Sequence, residues 1–324
     1  MSLAVSVVVP TYKRPHLLRN CLSSLLKQQF PPDAYEIIIV DDADAEETRF
    51  LVEAFSEEVG SCPAIRYAAA TETQGPAAAR NIGWRMARGE IIAFTDDDCL
   101  PEPDWLQEGL AAFHDELAGV SGQVIVPVPS PPTDYEKNVS RLTECAFVTA
   151  NCFYRRSVLE AVGGFDEQFT TAWREDSDLQ FMLLTRSYPL GMAPAARVVH
   201  PVRPGVWGVS IKEQRKSMFD ALLFKKHPEL YRRLLQPGPP WRYYGIVFST
   251  IAFVEAILVG NKPLALLMVI LWTLLVLQFS SLRLKGTKHT PEHVLEMLFT
   301  SAVIPYLSVF WRLYGAFYFR VWFF

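Results

Sequence analysis

The stretch Ile91-Ile92-Ala93-Phe94-Thr95-Asp96-Asp97-Asp98 decides the fold. Ile91–Thr95 is a short apolar run of the kind that forms a fully buried strand, and three carboxylates follow it at once. Adjacent carboxylates repel one another unless a cation sits among them, and hard oxygen ligands suit Mg²⁺ or Mn²⁺. Alone, such a triplet reads as a solvated acidic turn. A second acidic strand end favours a site: Glu36–Val40 (E-I-I-I-V) runs into Asp41-Asp42.

The pattern continues outward in both directions. Val5–Val9 is a β-branched run, followed by a helix over His16–Gln28 with Leu17, Leu18, Cys21, Leu22 and Leu25 on one face. A polar helix is expected over residues 44–58 and a strand over Ile65–Ala69. Gly75-Pro76 then opens an alanine-rich helix that runs to Ala87. Strands alternating with helices predict an α/β fold with a mostly parallel sheet covered on both faces. In such sheets the ligand lies beyond the carboxyl ends of the strands, where both acidic clusters stand. The chain contains neither G-x-x-x-x-G-K-[ST] nor G-x-G-x-x-G, so phosphates are expected to be held through a metal ion rather than a glycine loop.

Composition divides the 324 residues in two. Residues 1–240 carry 24 Lys and Arg against 32 Asp and Glu; residues 241–324 carry 7 against 3 among long apolar runs. That tail accounts for a mean hydropathy of +0.12, high for a wholly soluble chain. An acidic first part excludes nucleic acid as a partner. The five cysteines form neither a C-x-x-C pair nor a Cys/His cluster, which suits reduced thiols facing the cytoplasm. The N-terminus lacks the features of a signal peptide, so the first domain is expected to stay cytoplasmic.

Further on, Pro127–Pro132 is a stiff loop, Gly163-Gly164-Phe165-Asp166 a turn, and a helix starts near Glu175-Asp176. Ser210–Leu235 is basic and amphipathic, and Pro237-Gly238-Pro239-Pro240 breaks the chain. Of the three apolar segments beyond, Pro263–Leu282 is 20 residues without a charge, about 30 Å as a helix and enough to cross a bilayer. Gly245–Gly260, shorter and containing Glu255, is expected to pair with it as a hairpin turning at Asn261. Val294–Trp311 either spans or lies in the interface. The expected division is a catalytic domain at 1–205, a basic interface segment at 206–243, and a membrane region at 244–324. The expected location is the cell (inner) membrane, with several passes and the positive flanks inside.

One ordered set of motifs covers residues 5–200: Val7-Val8-Val9-Pro10-Thr11-Tyr12-Lys13-Arg14, Val40-Asp41-Asp42, Gly75-Pro76-Ala77-Ala78-Ala79-Arg80-Asn81-Ile82-Gly83, Phe94-Thr95-Asp96-Asp97-Asp98, and Gly163-Gly164-Phe165-Asp166-Glu167 ahead of Glu175-Asp176. In this order the set resembles the inverting GT-A glycosyltransferases of family two. The resemblance implies a nucleotide-sugar transferase fold, with Pro10, Tyr12, Arg14 and Asp42 on the nucleotide and Asp42 accepting from the uracil imide N–H. It implies that Arg80 and Asn81 contact base, ribose or diphosphate, although Arg80 equally suits a pair with an acidic cluster. Asp97 would bind the ribose, Asp98 the Mn²⁺ or Mg²⁺ ion on the diphosphate, and Asp96 would complete the Asp-x-Asp pattern. His200 stands where the family has a late His near the metal. Beside Glu175, on the substrate side, Asp176 is the implied general base, which a sugar hydroxyl needs before it can attack.

The function expected from these residues is transfer of one sugar from a nucleotide-sugar, UDP-linked, to a hydroxyl of a lipid-linked or cell-surface glycan precursor. Two alternatives stand beside it. A polyprenyl-phosphate glycosyltransferase would need no base, because a phosphate is already ionised. A non-catalytic membrane scaffold would keep only the nucleotide-sugar fold.

Overall fold

A computed structural model describes residues 3–71, 73–114 and 116–323. The chain divides into two compact units, Met1–Pro127 with Ser140–Val202, and Val128–Val139 with Arg203–Phe324. The elements alternate through the first half: β1 (Val5–Thr11), α1 (Pro15–Leu25), β2 (Tyr35–Asp41), α2 (Glu46–Val59), β3 (Ala64–Ala69), α3 (Pro76–Met86), β4 (Ile91–Phe94). There follow β5 (Leu100–Pro101), α4 (Trp105–Ala111), β6 (Gly119–Ile125), α5 (Asp134–Ser140), β7 (Cys152–Arg155), α6 (Arg156–Val162), α7 (Glu175–Thr185) and β8 (Leu190–Val199). Beyond them lie α8 (Val209–Lys212), α9 (Met218–Lys226), α10 (Pro228–Leu234), α11 (Trp241–Leu258), α12 (Lys262–Leu284) and α13 (Pro291–Tyr318).

In the first unit the strands form one sheet in the order β3-β2-β1-β4-β7-β6-β8-β5. β1 pairs in parallel with β2 and β4, and β2 with β3. β7 runs antiparallel to both β4 and β6, which restores β6 and its parallel partner β8 to the common direction. The carboxyl ends of β1, β2, β4 and β8 therefore open on one edge. β1, β2 and β4 are buried along their whole length, as runs of Val and Ile covered on both faces must be. Val8, Ile38, Val40, Ile92 and Phe94 belong to one apolar cluster with Ala77 and Ala79 of α3 and Leu179 and Leu183 of α7. That shared packing fixes α3 and α7 against the sheet.

The second unit is helical. The basic Ser210–Leu235 stretch is not one amphipathic helix but a succession of short ones, and Phe219, Leu222 and Leu223 of α9 turn inward. Among the described residues, the two helices long and apolar enough to cross a membrane are α12 and α13, by length and composition only. α11 and α12 do form the expected helical pair, with Asn261 accepting a hydrogen bond from the Leu264 amide at the start of α12. Pro305 is accommodated within the 28 residues of α13 instead of ending it.

Candidate active site

The site grows from the carboxyl end of β1. Thr11 ends that strand, and its hydroxyl donates to Asp97 Oδ2 at 2.7 Å while its carbonyl accepts from the Asp42 amide at 2.9 Å. One residue thus ties both acidic strand ends together. Arg14 bridges the second and third carboxylates, with Nε 3.2 Å from Asp97 and Nη1 3.5 Å from Asp98. Asp97 is 1% exposed and its Oδ1 finds no partner. Burial outweighs the attraction of Arg14 and pushes its pKa up to about 7.

Asp41 and Asp42 separate in role. Asp41 fixes the turn that leads into α2, accepting from the Ala43 and Ala45 amides. Asp42 holds the Gly75 amide at 2.8 and 3.0 Å, and burial raises its carboxyl above the ordinary value. Gly75 has a φ of +109°, and a Cβ there would meet the Thr170 backbone at 3.0 Å. Only glycine lets the chain pass between Asp42 and that loop before α3 begins. Tyr12, 49% exposed, stands at the mouth with Lys13 over its ring, whereas Pro10 is buried in β1.

Arg80 of α3, 2% exposed, joins the remaining carboxylates. It donates to Asp96 at 2.8 Å and to Glu175 at 3.0 Å. Burial opposes its charge, but Asp96, Glu175 and Asp176 outweigh that and hold it above its ordinary value. Glu175, equally buried, is pushed up by desolvation against the pull of Arg80. Asp176, the next residue, is only part-buried; its Oδ1 accepts from the amide and hydroxyl of Ser177. Arg174, directly before α7, holds a φ of +78° and lies 4.5 Å over the ring of Trp173, which is 38% exposed.

Asn81 is spent on the fold. Its amide nitrogen donates to the Phe165 carbonyl and to Glu167, both at 2.8 Å, and its oxygen accepts from Trp84 and the Phe165 amide. The structure therefore gives Asn81 the task of pinning the Gly163–Glu167 turn, with no donor or acceptor left for a nucleotide. Arg80 takes the alternative of pairing with the acidic clusters. Thr11 and Glu167 are the residues the motifs did not single out, although each lies inside a quoted motif.

His200 follows β8, with Nε2 3.6 Å from Asp98 Oδ1 and Nδ1 buried without a partner. Ligand atoms of Asp98, Cys99 and His200 lie within 4.8 Å of one another. Cys99 is fully buried and its thiol is held protonated by desolvation, so it does not suit a hard cation. One carboxylate and one imidazole remain. That pair fits Mn²⁺ or Mg²⁺, which keep most positions for water and phosphate oxygens.

A sheet of this order, with carboxylates gathered where its strands end, is the GT-A architecture of nucleotide-sugar transferases. The sequence profile of Glycosyl transferase family 2 matches residues 6–165, and that of Glycosyl transferase family group 2 matches residues 91–317. The chain belongs to this family of glycosyltransferases. It is 28% identical over 222 residues to the glycosyltransferase AglE of Haloferax volcanii, covering 65% of this chain and 70% of that one. It is 26% identical over 277 residues to validoxylamine A glucosyltransferase of Streptomyces hygroscopicus subsp. limoneus, covering 71% and 58%. The fold matches that of the mannosyltransferase PcManGT of Pyrobaculum calidifontis, solved with GDP-Man and Mn²⁺, at a TM-score of 0.62 and 23% identity, over 97% of this chain and 88% of that one.

Proposed function

We propose that the protein is an inverting, metal-dependent glycosyltransferase that moves one sugar from a nucleotide-sugar, UDP-linked, to a hydroxyl of a lipid-linked or cell-surface glycan precursor. The observation that carries this is the unbroken polar network from Asp42 through Thr11, Asp97, Arg14 and Asp98 to His200. Asp96, Arg80 and Glu175 lead from the same triplet to Asp176. The Mn²⁺ and GDP-Man held by a protein of the same fold support a divalent cation and a nucleotide donor here.

Asp98 and His200 would hold the cation, which, when bound, supplies positive charge against the departing diphosphate. Tyr12, exposed at the mouth, offers a face to the base, and Asp42 retains lone pairs for the uracil imide N–H beyond those used by Gly75. Asp97 faces the ribose hydroxyls with one carboxylate oxygen still unpartnered. Asp176 takes the proton of the acceptor hydroxyl as its oxygen attacks the anomeric carbon from the side opposite the diphosphate. The C–O bond to the acceptor forms as that to the diphosphate breaks, so the anomeric centre inverts. Arg80 holds Glu175, and through it the start of α7, so that Asp176 is presented from a rigid support.

The membrane belongs to the same proposal. α12 crosses the bilayer with α11 as its hairpin partner, α13 spans or lies in the interface, residues 1–205 and the basic flank Arg283, Lys285 and Lys288 remain on the cytoplasmic face, and residues 206–243 lie at the interface. A lipid-linked acceptor explains why a transferase should be anchored, since its reactive end stays near the headgroups. The test is a panel of UDP- and GDP-sugars with Mn²⁺, a lipid-linked glycan acceptor and detergent-solubilised full-length protein, with the anomeric configuration of the product read by proton NMR. A β-linked product from an α-linked donor, formed from a UDP-sugar, supports the proposal. Retention of configuration, or no turnover with any donor, refutes it.

A further inference from the structure

The helical unit holds a second charged site that the transfer chemistry does not use. Arg312 lies within the apolar helix α13 and is 4% exposed. One face of its guanidinium lies 3.7 Å from the centre of the Phe323 ring. Nη1 donates to Gln236 Oε1 at 3.2 Å. Gln236 is itself fixed, since the same oxygen accepts from the Tyr231 hydroxyl at 3.1 Å and its amide nitrogen donates to the Gly238 carbonyl at 2.7 Å. The other two nitrogens, Nε and Nη2, are buried and meet no acceptor.

Those two nitrogens share one edge of the guanidinium plane, the edge that grips two oxygens of an oxyanion at once. A charge buried with its best donor edge unspent is costly in an apolar helix unless an acceptor is supplied. Arg312 borders a cavity of about 450 Å³ whose wall also carries Arg242, Gln236, Trp241, Ser308 and Asp220. Two guanidinium groups against a single carboxylate favour an anion with more than one charge. Trp241, 72% exposed at the start of α11, adds an aromatic surface of the kind found at headgroup level.

We propose that this cavity binds a phosphate group carried by a lipid, gripped by the free edge of Arg312 with Arg242 as the second cation. Neither residue takes part in the transfer reaction, so the site stands or falls separately from the active-site proposal.

The test uses the full chain in detergent and three probes, phosphatidic acid, phosphatidylcholine and inorganic phosphate, with binding followed by native mass spectrometry and titration. Phosphatidic acid should bind saturably and more tightly than phosphatidylcholine. Arg312→Lys, which keeps the charge but loses the planar fork, and Arg312→Gln should each weaken it by about tenfold or more. Circular dichroism reports whether each variant is folded. Should the Arg312 variants fail to fold, Arg242→Gln must still weaken phosphatidic acid binding. Unchanged binding in the folded variants, or no preference for phosphatidic acid in the native chain, overturns the proposal. Displacement of the lipid by inorganic phosphate at equal concentration would assign the site to a free anion and overturn the lipid assignment.

Discussion

Asp176 and Glu175 are chain neighbours with opposite environments. Glu175 is shut away beneath Arg80, whereas Asp176 is part-buried and spends one oxygen on Ser177. Asp176→Asn is therefore expected to lower kcat by about 10²–10⁴-fold while leaving the KM for the donor nearly unchanged, as initial-rate kinetics will show. Glu175 gives a different signal. Desolvation raises its pKa above the ordinary carboxylate value, so the folded chain binds more protons than the unfolded one between those two values. Stability contributed there is present at low pH and declines as pH rises toward 7. Glu175→Gln cannot titrate, and melting temperatures taken from pH 5 to pH 7.5 should fall less steeply in the variant. A steeper fall in the variant would contradict the sign.

The chemistry-bearing side chains were the most legible part of the sequence, because Asp42, Asp96–Asp98 and Glu175-Asp176 stand at element ends that apolar runs mark out. What those side chains touch was not legible. Nothing in the spacing of Thr11 and Asp97 reveals that β1 and β4 are adjacent, or that one hydroxyl joins two acidic clusters. Asn81 lies in a motif whose polar residues suggest ligand contact, yet its hydrogen bonds are consumed by a turn 84 and 86 residues away and by Trp84 on its own helix.

At the scale of elements, the first four strands and their helices were legible because β-branched runs alternate with helical periodicity. The remaining strands were not. β5 has two residues, β6 contains Gly119 and Gly122, and β8 carries Pro194 opposite a register shift at Gly122/Gln123. None of these has the composition of a buried strand; sheet pairing imposes them. The Gly163–Glu167 turn has a clear local requirement. Gly164 holds a φ of +77°, and a Cβ there would sit 2.5 Å from Asn81 Oδ1 and Trp84 Nε1. Gly164→Ala should destabilise the protein by about 1–3 kcal/mol, measured by chemical denaturation. In α12, Leu271 is part-exposed within the apolar stretch. On the proposal that α12 crosses the bilayer, Leu271→Arg should cost roughly 3 kcal/mol of insertion and shift protein from the membrane to the soluble or aggregated fraction.

For the whole molecule, the split between an acidic first part and a basic apolar tail was visible in charge counts alone, but the two compact units divide at residues 202 and 203 rather than at 240, and one earlier segment also crosses over. Residues 128–139 leave the first unit and join the second, where Asp134 pairs with Arg283 at 2.7 Å. The proline-rich run Pro127–Pro132 marks where that excursion starts but not where it goes, because a buried ion pair between residues 149 positions apart is a property of the fold. The central claim is that a cation held by Asp98 and His200 is what binds the donor diphosphate. Calorimetric titration of UDP into the full-length protein, with Mn²⁺ and with chelator, tests it most directly. Binding is expected with Mn²⁺, and to be lost with chelator and in Asp98→Asn; equal affinity in all three would contradict the account.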